Sequence, residues 1–317
     1  MAARIRSIDP YRLSDSTMRD FNRCEKFFQL YRMCDTDMPR NNGSPATIRG
    51  SAFGIGVQTY FLTGDIEQAL YQTWLAYWPI DENRPYISCS RTLNNLLVAK
   101  EKLDILRRRY EVAIFEGKPA IELSFRLNKI GSKYYYVGYI DLVLFDKEEG
   151  IYVVFEIKTT GYNLTDLEPV YKNQGQTLAY SIVLDKIASS NLSKYGVLYF
   201  VVRDKGKNPI PDIYSFAFTK TLTDRLKWFV SYGLDLEKAE RMEELGIYPM
   251  RGESCVSFNR VCTFYNNCQL ESLAENKRAK PETEEEYQFT YDLDDLVEDH
   301  IQRVQTQSGL SGLEEML

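Results

Sequence analysis

The clearest pattern of hydrophobic and polar positions lies near the middle of the chain, where two apolar runs flank a polar turn. The runs, 139–145 and 151–159, are rich in apolar residues, many of them β-branched or aromatic, and the turn spans 146–150. This pattern predicts a β-hairpin. Taken over the whole chain, the apolar runs predict strands over 120–128, 132–146 (which contains the first run of the hairpin), 151–159, 195–202 and, at a sheet edge, near 212–218.

Segments with helical spacing of apolar residues lie on both sides of these strands. The first follows Ser16, a candidate N-cap, and a Pro/Gly/Asn-rich loop over 35–51 comes after it. Further helices are predicted over 52–62, 65–79, 91–115, 168–187 and 221–245. This order predicts an α/β or α+β fold with a central mixed β-sheet flanked by helices, and a helical lobe at about 52–115.

The composition is that of a globular protein. Of the 317 residues, 44% are hydrophobic, which is enough to build a sizeable core. No run of 18 apolar residues exists, and the first residues lack the apolar core of a signal peptide. We therefore expect a cytoplasmic protein with no membrane partner. Six cysteines in such a chain predict reduced thiols or metal ligands.

Charge is distributed unevenly along the chain. The formal net charge is −6, but residues 271–317 hold 13 acidic and 4 basic residues, which leaves +3 for residues 1–270. We therefore predict a mildly basic domain over 1–270 and an acidic C-terminal tail over 271–317, with a short helix near 292–304. The tail could be a solvated or loosely packed extension, a partner-binding segment, or an acidic gate that competes with another polyanion for the basic domain.

Three charged residues interrupt the apolar hairpin. Glu156 and Lys158 share one face of their strand, and a turn centred on residues 148 and 149 places Asp141 opposite Glu156. Facing carboxylates destabilise a sheet unless something compensates them. A hard cation such as Mg²⁺ between the carboxylates would do so. The alternative is an exposed face of a half-solvated hairpin.

The helix predicted after the hairpin carries two polar residues on one face. Gln176 and Tyr180 are four residues apart, so they lie side by side on a helix. They could reach a phosphate or a base. The alternative is a surface glutamine beside a half-buried tyrosine.

Together these segments resemble the PD-(D/E)XK nuclease superfamily and, within it, the RecB-like exonucleases. The similarity rests on Gly138 to Asp141, on Glu156 to Lys158 and on Gln176 to Tyr180, and the first helix, from Leu13 to Tyr31, is also similar. It covers about residues 12–270. It implies a restriction-endonuclease-like core.

The resemblance also implies roles for these residues. Asp141 and Glu156 would bind Mg²⁺ or Mn²⁺ with help from the backbone carbonyl of Ile157. Lys158 would be the catalytic lysine. Gln176 and Tyr180 would support the site and contact substrate.

This sequence departs from the family pattern in two places. Ile140 stands where the superfamily has a proline, and the segment 49–58 lacks the metal-binding histidine of RecB-like members. Gln58 is a weak replacement, and Glu122 could supply another carboxylate. The single histidine, His300, lies in the acidic tail, where we expect a surface residue.

The resemblance leads to two hypotheses for function. The first is a Mg²⁺-dependent deoxyribonuclease, an exonuclease that acts on single-stranded DNA or duplex ends in recombination or DNA repair. A partner in recombination or a single-strand-binding protein would then contact the acidic tail. The alternative is a catalytically inactive DNA-binding or structural module that keeps the nuclease fold.

The cysteines carry a separate expectation. Some RecB-like nucleases, including AddB-type subunits and CRISPR-adaptation nucleases, hold a [4Fe–4S] cluster with one N-terminal and three C-terminal cysteines. Cys24, Cys255, Cys262 and Cys268 have that arrangement here. Four thiolates also suit zinc. Free thiols are the third alternative, and they are the one we expect for Cys34 and Cys89.

Overall fold

The chain folds as a mixed α/β protein with a central, mixed β-sheet of eight strands flanked by helices, as predicted. The structure is a computed structural model, and it describes residues 9–34, 45–81, 84–163, 167–204, 210–257, 260–269 and 286–308. It divides into two compact units. Unit 1 comprises 1–3, 41–123 and 139–225, and unit 2 comprises 4–40, 124–138 and 226–317.

The regular elements follow one another in this order. The helices are α1 Asp15–Arg23, α2 Glu25–Phe28, α3 Pro45–Thr63, α4 Ile66–Leu75, α5 Tyr86–Arg109, α6 Glu168–Asn173, α7 Gly175–Tyr180, α8 Leu184–Ile187, α9 Leu222–Leu245 and α10 Leu293–Ser308. The strands are β1 Arg12–Leu13, β2 Tyr110–Val112, β3 Ile114–Phe115, β4 Lys118–Pro119, β5 Ile121–Asn128, β6 Tyr135–Asp146, β7 Ile151–Thr160, β8 Lys194–Arg203, β9 Asp212–Thr221, β10 Val256–Ser257, β11 Arg260–Val261 and β12 Phe289–Asp292.

In unit 1 the strand order is β6-β7-β8-β9, and β2 pairs with β6. The β7–β8 pair is parallel, and the others are antiparallel. One face of these strands packs against α3, α4 and α5, because Phe155 and Ile157 point into the apolar cluster that Val57 and Phe61 complete. The rings of Phe61 and Phe155 lie 5.0 Å apart. Helices α7 and α8 lie against β7 as well.

In unit 2, β12 pairs in parallel with β5, and β1 pairs in parallel with β6. Aromatic rings fill this unit, since Tyr136 packs edge-on against both Trp228 and Tyr232. No described helix is long and apolar enough to cross a bilayer.

Several predicted boundaries are wrong in physically informative ways. Ser14, not Ser16, caps α1, because the Ser14 side chain accepts a hydrogen bond from the N–H of Thr17. Helix α3 begins at Pro45, within the predicted loop. Helix α5 ends at Arg109, since the next residues pair with the edge of β6. The predicted helix over 168–187 is broken at Gln174, whose backbone is extended.

The described part of the acidic tail is folded, which differs from a loosely packed extension. Residues 289–292 form β12, and the helix that follows is longer than predicted. His300 is 1% exposed and packs edge-on against Phe229, so the expected surface position is wrong. The predicted domain boundary at residue 270 lies outside the described residues and stays a prediction. Residues 271–285 and 309–317 lie outside the described residues.

Candidate active site

The two carboxylates of the hairpin lie where the predicted register puts them. Strands β6 and β7 pair Leu142 with Phe155 and continue in that register to the turn. The residue numbers of each pair sum to 297, as they must for the predicted turn centred on residues 148 and 149. The N–H of Ile157 donates a hydrogen bond of 2.9 Å to Asp141 Oδ2. Asp141 therefore projects beside Glu156, on the strand face away from the α3–α5 lobe.

The alternation of side chains along β7 explains why its charged and apolar residues face opposite ways. Phe155 and Ile157 lie in the apolar cluster under the helical lobe, so Glu156 and Lys158 must face the other way. There they meet α7. A strand that is buried on one side by apolar contacts can hold its charged residues in fixed positions on the other.

A hydrogen-bonded network joins Glu156 to α7. Lys158 Nζ lies 2.5 Å from Glu156 Oε1 and 3.1 Å from Gln176 Oε1. Gln176 Nε2 donates to Glu156 Oε1 at 3.0 Å and to the Tyr180 hydroxyl at 2.8 Å. Glu156 is almost fully buried, so its charge depends on these donors. The spacing of four between Gln176 and Tyr180 thus produces the side-by-side pair that the sequence predicted.

Glu122 and Gln58 also reach this region. Gln58 Nε2 donates to Glu122 Oε1 at 2.6 Å and to the carbonyl oxygen of Asp141 at 3.1 Å. Glu122 has a left-handed backbone with φ of 50°, which is uncommon for a residue with a Cβ and is concentrated at functional sites. Gln58 presents its amide nitrogen here, so it orients a carboxylate. Its role as a metal ligand stays a prediction.

The electrostatics of the site favour a cation. Burial raises the pKa of Asp141 well above its ordinary value, and the charge of Glu156 raises it further. The Lys158 ammonium and the Ile157 N–H oppose both effects. Two carboxylates this close, with one ammonium already engaged, resist full ionisation unless further positive charge arrives.

The donor set suits a hard divalent cation. Asp141 and Glu156 supply carboxylate oxygens, which Mg²⁺ and Mn²⁺ prefer, and two carboxylates with substrate phosphates are a common arrangement for Mg²⁺. Among the described residues, no three His, Cys, Asp or Glu side chains form a ready metal site. That the backbone carbonyl of Ile157 helps to bind the cation stays a prediction.

Three further residues near the end of β7 could not be identified from the sequence. Arg49 and Arg91 each place a guanidinium nitrogen 3.6 Å from Asp204 Oδ2. The N–H of Asp204 donates to the Thr160 carbonyl at 2.9 Å. Two arginines that share one carboxylate leave a net positive charge beyond Lys158. Only the fold brings these three residues together.

The four predicted cysteine ligands line one small cavity in unit 2, of about 20 Å³, which holds Cys24, Cys255, Cys262 and Cys268 on its walls. Within the part of the chain that the structure describes, no three of these thiols are arranged as a ready metal site. Cys24 sits at the break between α1 and α2, with an extended backbone. Cys262 N–H donates to the Cys255 carbonyl at 2.7 Å. Cys34 and Cys89 are buried apart from this cavity, as expected for free thiols.

A buried ion pair holds the two sequence-distant parts of this cavity together. Glu25 is buried and accepts hydrogen bonds of 2.8 and 2.7 Å from Arg251, while Lys238 lies 2.6 Å away. The Arg251 hydrogen bonds, which outweigh the effect of burial, and the Lys238 ammonium lower the pKa of Glu25 to about 2. Cys24 is thereby kept beside the C-terminal cysteines at physiological pH.

Comparisons with known proteins add a fold-level likeness. No family model and no curated protein match the sequence. Among solved structures, the chain is similar to one described as a "Putative exonuclease" from Eubacterium rectale, with 13% identity and a TM-score of 0.45. The match covers 87% of this chain and 91% of that chain. The function proposed below rests on the geometry of the site and not on this similarity.

Proposed function

We propose that this protein is a metal-dependent nuclease that hydrolyses phosphodiester bonds in DNA, acting in the cytoplasm as an exonuclease in recombination or DNA end processing. The observation that carries the proposal is the cluster of Asp141, Glu156 and Lys158 on one face of β6 and β7, braced by Gln176. A purely structural hairpin has no need for two adjacent carboxylates, one buried and one half-buried, which cost stability.

Asp141 and Glu156 would hold Mg²⁺ or Mn²⁺, with Glu122 as a further carboxylate. Such a cation lowers the pKa of water and stabilises charge on phosphoryl oxygens. Lys158 then orients the attacking water and balances negative charge at phosphorus, while the sugar oxygen leaves. Gln176 and Tyr180 keep Glu156 and Lys158 in position, and Gln58 holds Glu122. Substrate phosphates complete the ligand set.

We also propose that Cys24, Cys255, Cys262 and Cys268 hold a [4Fe–4S] cluster of structural role. Support comes from their shared cavity and from the Glu25–Arg251 ion pair, which positions Cys24 independently of any metal. Arg23 and Arg251 also line this cavity, so positive charge lies near the thiols.

The deciding experiment is a cleavage assay on labelled single-stranded and duplex DNA with Mg²⁺, with Mn²⁺ and with EDTA. Asp141→Ala, Glu156→Ala and Lys158→Ala should each abolish cleavage and leave the circular dichroism spectrum unchanged. Glu148→Ala, in the exposed turn of the same hairpin, is the matched control and should cleave normally.

The alternative, an inactive DNA-binding module, is favoured by one observation. Gln58 stands in the helix where RecB-like members carry a histidine, and its amide is already engaged by Glu122. DNA binding without metal-dependent cleavage would select this alternative. Full activity in any two of the three site variants would reject the site assignment.

A further inference from the structure

Three aromatic residues form a nearly continuous surface on the helical lobe of unit 1. They are Tyr71 and Trp74, in the second half of α4, and Trp78, which lies three residues beyond the end of that helix; we call them the aromatic ladder. The ring centroids of Tyr71 and Trp74 lie 6.1 Å apart with planes at 24°, and those of Trp74 and Trp78 lie 5.5 Å apart at 39°. Tyr71 is 57% exposed and Trp78 is 60% exposed.

Exposed rings of this size indicate a binding surface. Single exposed apolar residues are common, but a contiguous exposed patch marks an interaction site. Trp74 packs against the small cluster of Ala52, Tyr77 and Cys89, so the ladder is fixed to the lobe. Its outer two rings present their surface to solvent, and neither is needed to fill the core.

Arginines lie beside the ladder and along the route from it to the site. Arg84 Nη1 donates to the Trp78 carbonyl at 3.1 Å, which keeps a guanidinium beside the backbone of the last residue of the ladder. Arg49 and Arg91 share the carboxylate of Asp204. Rings interspersed with guanidinium groups match a chain of bases and phosphates, because rings stack on base faces and arginines attract the backbone.

A series of contacts links the ladder to the end of β7 that carries Lys158. Ile48, at the start of α3, packs on the same small cluster as Trp74. The next residue, Arg49, reaches Asp204, whose N–H donates to the Thr160 carbonyl at the end of β7. Thr160 lies two residues after Lys158, on the same strand face. A strand lying on the ladder would therefore pass Arg49 and turn around the end of β7 to reach the carboxylates.

We propose that the aromatic ladder binds single-stranded DNA by base stacking and leads the strand toward Asp141 and Glu156. This inference rests on the proposed function and names its substrate class. Single strands are favoured over duplex because duplex base pairs already cover one another's faces. They are favoured over a protein because stacking needs flat rings, whereas a protein interface accepts any apolar side chain of similar size.

The test measures the affinity for a fluorescent oligo(dT) by anisotropy, in EDTA and at one fixed salt concentration. Tyr71→Leu and Trp78→Leu keep apolar area but remove the rings, and each should weaken binding roughly 5- to 150-fold, the range for loss of one stacked base. Tyr71→Phe and Trp78→Phe keep the rings and should bind like wild type. Ile114→Ala, another exposed apolar residue of unit 1, is the control.

The outcomes separate this inference from the proposed function. Three results would overturn the ladder proposal. The first is unchanged affinity in both leucine variants, and the second is an equal loss of affinity in the leucine and phenylalanine variants. The third is a loss of affinity for blunt duplex equal to the loss for the single strand. Metal-dependent cleavage by wild type would survive all three results. Conversely, ring-dependent binding without cleavage would keep the ladder and overturn the nuclease.

Discussion

Replacing Asp141 by Asn should stabilise the protein in the absence of divalent cations, although it abolishes cleavage. The substitution removes one of two facing negative charges and keeps the shape of the side chain. The Asn carbonyl oxygen can still accept the hydrogen bond from the N–H of Ile157, which is 2.9 Å long in the native protein. The net effect is therefore dominated by charge.

The register of β6 and β7 gives the magnitude of the repulsion between Asp141 and Glu156. Facing residues of an antiparallel pair have Cβ atoms about 5 Å apart, and two unit charges at that distance repel by about 3 kcal/mol at an effective dielectric constant of about 20. Loss of the attraction between Asp141 and Lys158 offsets part of this gain. We expect a net stabilisation of about 1–2 kcal/mol, which raises the melting temperature by roughly 2–5 °C.

The assay is thermal unfolding in EDTA over a range of pH. The folded-state pKa of Asp141 lies above the unfolded value of about 3.9, so wild type loses stability as pH rises between these two values. The advantage of Asp141→Asn should therefore be largest at neutral pH and vanish below about pH 4. Added Mg²⁺ should stabilise wild type by mass action and leave the variant unchanged.

Asp146→Asn, in the same hairpin, is a matched control for which we expect the opposite change in stability. Burial alone would raise the pKa of Asp146, but hydrogen bonds from Arg109 and from two turn N–H groups outweigh it, so the pKa is lowered. This variant should be destabilised at neutral pH. A lower melting temperature for Asp141→Asn in EDTA, or equal stabilisation of both chains by Mg²⁺, would refute the reasoning.

Three other predictions test the rest of the molecule. Cys24→Ala should remove iron and the brown colour from protein purified without oxygen, whereas Cys34→Ala should not; a colourless wild type without iron, or one that holds zinc, contradicts the cluster. Gly196→Ala should cost about 1–3 kcal/mol, because its Cβ would lie 2.7 Å from Val153 Cγ2, and Val153→Ala should restore part of the loss in urea unfolding. Leu293→Ala should cost about 2–5 kcal/mol in the same assay, since Leu293 is buried; an unchanged urea midpoint would indicate a loosely packed tail.

The sequence alone was sufficient to predict the hairpin and its pairing. Alternation of period two assigned Glu156 and Lys158 to one face, and the polar turn set the register that brings Asp141 opposite. These features are local: a few residues determine the turn, and the turn determines which residues pair. The helical spacing of Gln176 and Tyr180 is local in the same sense, so their contact also followed from sequence.

Local pattern was insufficient where burial depends on distant elements. His300 lies in an acidic segment, and nothing near it in sequence indicates that Phe229 covers its ring. The break of the predicted helix at Gln174 is a second example, because its extended backbone separates α6 from α7 although apolar residues continue at helical spacing. In both cases tertiary packing outweighs local preference.

Only the tertiary structure decided how the separate parts of the sites meet. Gln58 reaches Glu122 from a helix 64 positions earlier in the chain, and Arg251 reaches Glu25 across 226 positions. The arginines beside Asp204 are likewise brought to the end of β7 by the folding of the lobe. The sequence determined which residues could carry the chemistry. Their convergence required the fold, because hydrophobic burial is non-directional and leaves the choice of neighbours to the packing of whole elements.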